Sequence, residues 1–268
     1  YNQINHSLES VSQDNLSLEP LASINDYLEE KQDTNYPWDI VHDNDNLVNL
    51  TYLAKDVLIE QLYKRYRQGC FYSYVDNILI FLNPYCSLPL YNPKYSNIYR
   101  DHKLGSKPPH IFGMVDHIYY NMLKTKRSHC ILISGESGSG KTESSKQIIQ
   151  HITFLNQYGT QSKLVSAILA SSNVLEAFGN AQNVQNKNSS RFGKFTQIIF
   201  NCDGAIVGVN LTVYLLEKSR LVSHDINEKN FHVFYYFLSL KGQALKNEFQ
   251  SKNVEDYEYL KPNTIKDF

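Results

Sequence analysis

Apolar positions along the chain change their spacing several times, and each change marks an element. Residues 1–45 are rich in Asn, Ser, Asp, Glu and Gln, with only a weak helical stripe at Leu21, Ile24 and Leu28, too little apolar content for a core. This pattern assigns 1–45 to a polar appendage or linker and 46–268 to the folded unit. Leu47, Leu50, Val57, Leu58, Leu62 and Tyr66 then recur at helical spacing, after the caps Asp45 and Asn46 and before a stop at Gly69, predicting one amphipathic helix. Phe71–Val75 and Ile78–Leu82, parted by Asp76-Asn77, predict a hairpin that ends in the chain turn Asn83-Pro84. The segment from Tyr85 to Pro109 holds Pro89, Pro93, Pro108 and Pro109 without a clean period and reads as an ordered loop. A helix is predicted next, from about His110 to Lys126.

Cys130-Ile131-Leu132-Ile133 is a continuous apolar run of strand length, the pattern of a strand covered on both faces in a largely parallel sheet. Two helices suited to cover such a sheet follow. One, from Lys141 to Asn156, carries Ile148, Ile149, Ile152 and Leu155 on one side; the other, from Lys163 to Phe178, carries Leu164, Ile168, Leu169 and Leu175 before Gly179. A polar, Asn-rich loop runs from Gly179 to Arg191. Phe195–Phe200 and Ala205–Leu216 around Asp203-Gly204 predict a long hairpin, and Phe231–Leu240 is apolar enough to be buried. Residues from Gly242 onward are ambiguous, and no internal repeat is present.

Chemistry enters between the buried run and its following helix. Gly135-Glu136-Ser137-Gly138-Ser139-Gly140-Lys141-Thr142 fits the pattern of Gly, four residues, Gly, Lys and Ser or Thr. Its glycines allow backbone N–H groups to turn inward around a polyphosphate, and the helix N-terminus adds partial positive charge. Lys141 reaches the β and γ oxygens, and Thr142 offers an oxygen to Mg²⁺. Such a cradle alone does not choose among kinases, GTPases, ATPases and motors. Downstream, Asn186-Lys187-Asn188-Ser189-Ser190-Arg191-Phe192-Gly193-Lys194 is a polar loop with paired hydroxyls and an Arg, suited to close over a γ-phosphate and its metal.

Gly135–Thr142 resembles the phosphate loop of the myosin motor head, and Asn186–Lys194 resembles the first switch of myosins. Leu47–Leu53, Asn83-Pro84-Tyr85, Leu175–Ala181 and Tyr214–Val222 are similar to myosin head segments in the same order, so the resemblance covers roughly Trp38 to Leu240. Kinesins share the paired Ser and the Arg but lack Phe192-Gly193-Lys194 and the Leu-Glu-Lys-Ser-Arg segment. The resemblance implies an α/β fold, a P-loop NTPase-type mixed central sheet flanked by helices. It implies an actin-based motor that hydrolyses MgATP, with actin filaments as partner, a light chain or calmodulin-like protein on a lever arm, and a cytoplasmic, cytoskeleton-associated setting.

Residue by residue, the resemblance implies that Asn83, Pro84, Tyr85 and Tyr91 form the adenine side. Gly135, Glu136, Ser137, Gly138, Ser139, Gly140, Lys141, Thr142 and Glu143 would cradle the phosphates. Thr142 and Ser190 would hold Mg²⁺, Asn186 and Lys141 would hold phosphate oxygens, and Ser189 would relay a proton from the attacking water. Arg191 would lock to an acidic residue of the family's second switch, Asp-Ile-x-Gly-Phe-Glu, a segment that does not occur in this sequence. The chain therefore reads as part of a head, expected to be inactive alone. Asp203 is the nearest acidic substitute, but Asp203-Gly204 is more simply a hairpin turn. Departures from the family pattern stand at Gln182, at Asp76-Asn77 and at Ser87, and they bear on adenine affinity and kinetic class.

Composition narrows the alternatives. The 268 residues hold 26 Lys and Arg against 27 Asp and Glu, a net charge of −1 without the basic excess of a nucleic-acid binder. No window reaches the roughly 18 uncharged apolar residues that a membrane span requires. Cys70, Cys86, Cys130 and Cys202 form no Cys-x-x-Cys pair, which favours a reducing cytosolic compartment over a zinc site or disulfide framework. The histidines, His102, His110, His117 and His129 among them, show no metal-ligand grouping. A GTPase or small-molecule kinase competes with the motor, but the guanine-reading Asn-Lys-x-Asp is missing because Ser189 follows Asn188. A non-hydrolysing tether is the third alternative, opposed by intact Lys141, Thr142, Ser190 and Arg191.

Overall fold

The computed structural model describes residues 45–156, 162–239 and 253–262. The polar appendage assigned to 1–45 lies outside them except for Asp45. Among the described residues the fold is mixed α/β. In chain order it comprises α1 (Lys55–Arg67), β1 (Tyr72–Val75), β2 (Ile78–Phe81), α2 (Pro93–Tyr99), α3 (Ile111–Thr125), α4 (Lys141–Leu155), α5 (Ser162–Gly179), β3 (Asn180–Ala181), β4 (Ser189–Ser190), β5 (Gly193–Phe200), β6 (Ile206–Tyr214) and α6 (His232–Leu238). The strands form three separate antiparallel pairs, β1 with β2, β3 with β4 and β5 with β6.

The helix expected from Leu47 is divided. Asn46 accepts a hydrogen bond from the Val48 amide and caps a single 3-10 turn, Leu47–Asn49. The Asn46 side chain also accepts from the Asp76 amide, and the Asp45 carbonyl accepts from the Tyr74 amide. These bonds tie the segment to the first hairpin, and the α-helix begins only at Lys55. The one fully buried side chain of α1 is Arg65. It donates to Asp45 Oδ1 at 2.6 Å, to Ser73 Oγ at 2.7 Å and to the Tyr72 carbonyl at 2.8 Å, satisfying a cation that burial would otherwise penalise. Gly69, at φ 78°, ends the segment as expected.

The hairpin turn is at Asp76, φ 53°, as the Asp-Asn dipeptide predicts. The expected loop 85–109 contains a helix, α2, because Pro93 occupies its first turn and the Asn92 side chain accepts from the Tyr95 amide. α3 matches its predicted bounds, capped by the His110 ring at its start and by Lys126 at φ 55° at its end. α4 buries Ile148, Ile149, Ile152 and Leu155, the predicted face. Together with Phe71, Tyr72, Leu90, Tyr95, Tyr99, Ile111, Phe112 and Val115, the three isoleucines make the core between the first hairpin, α2, α3 and α4.

Two further expectations fail. Cys130–Ile133 pairs with no strand among the described residues, and Leu132 is 87% exposed. An apolar run becomes a covered strand only where neighbours take up its backbone donors and acceptors. Phe231–Leu240 is not buried throughout. Phe231 is buried, but α6 has no buried side chain, and Tyr236 and Phe237 are exposed because the aromatic run is helical and turns them away from the core.

His110 sits at the centre of the aromatic core. Its ring stacks on Tyr99 at 4.8 Å and meets the edge of Phe112 at 4.6 Å, while Nδ1 accepts from the Phe112 amide at 3.0 Å. Burial, reinforced by neighbouring His151, depresses its pKa from 6.5 to about 3. A histidine held neutral in the fold contributes stability that is complete above its ordinary value of 6.5 and is lost as pH falls towards 3. Wild type is therefore expected to lose more unfolding free energy between pH 7 and pH 4 than His110→Asn, which keeps a capping oxygen without the titration; denaturant melts across pH measure it. Arg65→Ala, which removes the buried guanidinium shared by Asp45, Ser73 and the Tyr72 carbonyl, is expected to cost about 3–5 kcal/mol in the same melts at neutral pH.

Candidate functional site

The site forms where α4 begins. Gly138 and Gly140 adopt φ 82° and 95°, the left-handed region that only glycine enters freely, and Gly140 caps α4 just before Lys141. At Gly135, φ 154°, an added Cβ would lie 2.5 Å from Ser139 Oγ and 3.1 Å from Ser139 Cβ, so a side chain there would displace Ser139 and strain the loop. Ser139 Oγ is itself buried with no hydrogen-bond partner among the described residues. The Lys141 ammonium curls back over the loop and donates to the carbonyls of Gly135 at 2.7 Å and Glu136 at 2.6 Å. Its charge thus rests on neutral carbonyl dipoles, without a carboxylate in those contacts.

The downstream polar loop folds against this cradle. β3 and β4 pair Asn180 with Ser190 and Ala181 with Ser189, presenting both serines to the phosphate loop. Ser137 Oγ donates to Ser189 Oγ at 2.9 Å, and Thr142 Oγ1 lies 3.2 Å from Ser190 Oγ. Asn183 Nδ2 donates to Ser137 Oγ at 3.2 Å, while its Oδ1 accepts from the Asn186 amide at 2.6 Å. A Cβ on Gly138 would lie 3.9 Å from the Asn186 Cβ, so Asn186 stands beside the cradle. Arg191 turns the other way and grips Glu217 with two prongs, 2.7 and 3.0 Å.

Of the residues expected on the adenine side, Asn83 reaches the glycine-rich loop directly. Its amide nitrogen donates to the Gly138 carbonyl at 2.8 Å, and its oxygen accepts from the Tyr85 amide. Tyr85 is exposed beside Gly138, and Pro84 is fully buried beneath the turn. Tyr91 faces inward: its hydroxyl meets that of Tyr72 at 2.8 Å, and burial pushes its phenol up to about 12. Glu143 points along the helix to Lys146 at 2.9 Å, a lysine that also bridges to Glu176 on α5. Asp203 lies in the β5–β6 turn with Gly204 at φ 87°, the simple hairpin reading.

Two residues of the constellation carried no role in the sequence: Asn183, which links both loops, and Glu217, whose carboxyl is held below its usual range chiefly by hydrogen bonds from Arg191, opposed by burial and aided by Arg220. Asn183 stood in plain view in an Asn-rich stretch where nothing distinguished it from its neighbours. Among the described residues no three His, Cys, Asp or Glu side chains group to hold a metal. The adjacent Thr142 and Ser190 hydroxyls are hard, neutral oxygen donors. Such a pair fits Mg²⁺, which keeps several waters and takes phosphate oxygens for the rest of its shell.

Comparison with known proteins identifies the family. The model of the myosin head (motor domain) family matches residues 44–267. Unconventional myosin-IXAa of Danio rerio is 46% identical over 230 residues, covering 86% of this chain and 9% of that protein. Unconventional myosin-IXa of Homo sapiens is 46% identical over 224 residues, covering 84% and 9%. Myosin-IIIb of Mus musculus is 44% identical over 221 residues, covering 82% and 17%. The chain thus spans only a small part of the length of these relatives.

The cradle's steric limit is open to test. Gly135→Ala is expected to weaken binding of a fluorescent adenine nucleotide about tenfold or more, since backbone strain at such a position costs roughly 1–3 kcal/mol. Far-UV circular dichroism should stay unchanged, because the clash is confined to the loop.

Proposed function

Because this chain belongs to the myosin motor-head family, we propose that its phosphate loop and the loop 183–191 together bind MgATP and take part in its hydrolysis within an actin-based motor. The observation that carries this reading is the double hydroxyl contact, Ser137 with Ser189 and Thr142 with Ser190, which brings two loops distant in sequence together at one helix N-terminus. Inward-turned amides, the partial positive charge of α4 and the Lys141 ammonium suit a triphosphate. Lys141 would leave its carbonyl contacts for the β and γ oxygens, a stronger charge-assisted pairing. Asn186 would add a neutral donor on the γ side.

Thr142 and Ser190 would hold Mg²⁺, which when bound neutralises charge developing between the β and γ phosphates. Ser189 is proposed to position the attacking water and pass on its proton, and the contact with Ser137 orients its hydroxyl. Asn83, Pro84, Tyr85 and Tyr91 are proposed for the adenine side, where Asn83 couples the base-side turn to the cradle through the Gly138 carbonyl. The apolar run Cys130–Ile133, without a strand partner among the described residues, is proposed to join a P-loop NTPase-type central sheet in the motor head. Actin filaments and a light chain or calmodulin-like protein are the partners proposed for that whole.

The test separates ground-state grip from chemistry. In the full-length protein, Lys141→Ala is expected to weaken ATP binding about tenfold or more, because it removes a charge already engaged before reaction. Ser189→Ala is expected to leave affinity nearly unchanged and slow single-turnover hydrolysis about a hundredfold, the scale of one positioned proton-transfer group. Equal loss of binding in both variants would contradict the assignment.

A further inference from the structure

Behind Ser189 and Ser190, four charged side chains alternate in sign. Arg191 donates from Nε to Glu217 Oε2 at 2.7 Å and from Nη2 to Oε1 at 3.0 Å. The Glu217 amide donates to the Arg191 carbonyl at 3.0 Å, and the Arg191 amide donates to the Gly179 carbonyl at 2.9 Å. Glu217 Oε2 also accepts from Arg220 Nε at 2.7 Å, and Arg220 continues to Glu228 Oε2 at 2.7 Å and the Lys229 carbonyl at 2.9 Å. Arg220 is buried, so it holds the Glu217 carboxylate in one orientation. Residue 191 is therefore fixed through backbone and side chain together, directly after the two serines that meet the phosphate loop.

Resting on the nucleotide-site reading above, we propose that Glu217 is a positioning residue for the phosphate site, fixing Arg191 and through it the Ser189 and Ser190 hydroxyls in register with the phosphate loop. A carboxylate held bidentate by a guanidinium fixes a plane as well as a distance. That plane matters here because Arg191 Nη1 lies 3.5 Å from Ser189 Oγ, close enough for a small rotation of the guanidinium to change the hydroxyl's surroundings. Glu228 provides the contrast: it pairs with Arg220 through Nη2, one step further along the row from Arg191. A role confined to stability would be shared by both carboxylates; a role in the site belongs to Glu217.

The test measures binding of a fluorescent adenine nucleotide, with Mg²⁺ and with EDTA, to the full-length wild type, Glu217→Gln, Glu228→Gln, Arg191→Gln and the Arg191→Gln/Glu217→Gln pair. Glu217→Gln keeps the size and one acceptor but loses the charge. It is expected to weaken Mg²⁺-dependent binding about tenfold, as loss of a supporting partner behind a ligating residue does. In EDTA its affinity should stay within about twofold, and Glu228→Gln should match wild type in both conditions. The double variant should bind no more weakly than Arg191→Gln, because both changes break one contact. If Glu217→Gln fails to fold, Glu217→Asp, which keeps the charge on a shorter arm, enters the same comparison. Equal losses with and without Mg²⁺, additive effects in the pair, or an equal loss in Glu228→Gln would overturn the inference. Wild type that binds no Mg-nucleotide would instead overturn the site reading and this inference with it.

Discussion

Four hydroxyl oxygens, on Ser137, Ser189, Thr142 and Ser190, hold the two halves of the site together. Each bond between neutral partners contributes only about 0.5–1.5 kcal/mol net, and Thr142–Ser190 at 3.2 Å is long for a hydroxyl pair. Contacts this weak form a seam whose parting would cost little free energy. What keeps the seam in register is stiffness on each side of it. On one side the phosphate loop has backbone conformations that strain any residue but glycine and a helix that starts immediately after. On the other, the loop is anchored at Gly179 by a backbone bond and at Glu217 by a guanidinium fork.

The helix side of the seam is itself founded on the core. α4 buries Ile148, Ile149 and Ile152 against α3 and the first hairpin, and His151, fully buried, stacks on Phe112 at 4.4 Å. His110 closes the same aromatic cluster at the start of α3. An interior built from rings resists sliding, because stacked and edge-on contacts have preferred geometries, unlike aliphatic packing alone. The N-terminus of α4 is thereby fixed in position before any ligand arrives. Pre-formed donors are what an anion site needs if binding is not to spend its free energy on ordering the loop.

Local signals in the sequence were read well where one residue type has one physical use. Asp76-Asn77 and Asp203-Gly204 became turns, Gly69 a stop and the Gly-rich run a tight loop ahead of a helix. The α4 face followed from its period alone. Failures came where a distant partner decides. Leu47 sits at helical spacing with Val57 and Leu58, yet Asn46 is drawn into the hairpin and the helix starts late, an outcome set by bonds to Tyr74 and Asp76 that no local window contains. Asn92-Pro93 was a legible helix start obscured by the surrounding prolines. Cys130–Ile133 shows the limit from the other direction, since a strand is a relation between segments and its pattern alone does not supply the neighbour. In the site, glycines and Lys141 announced themselves by type, whereas Asn183 and Glu217 matter through what they touch.

The alternation Arg191, Glu217, Arg220, Glu228 has an electrostatic reach as well as a mechanical one. Two cations and two anions in a row sum to zero, and the field of such a row dies away within little more than its own spacing. Arg191 is therefore nearly invisible to an anion approaching through solvent, although it stands two residues from the serine beside the cradle. Lys141, resting on carbonyl dipoles, keeps its charge on display. Anion binding at the glycine-rich loop would therefore separate guidance from grip, with the distant pull falling to Lys141 and the neutralised row acting only on groups already in contact.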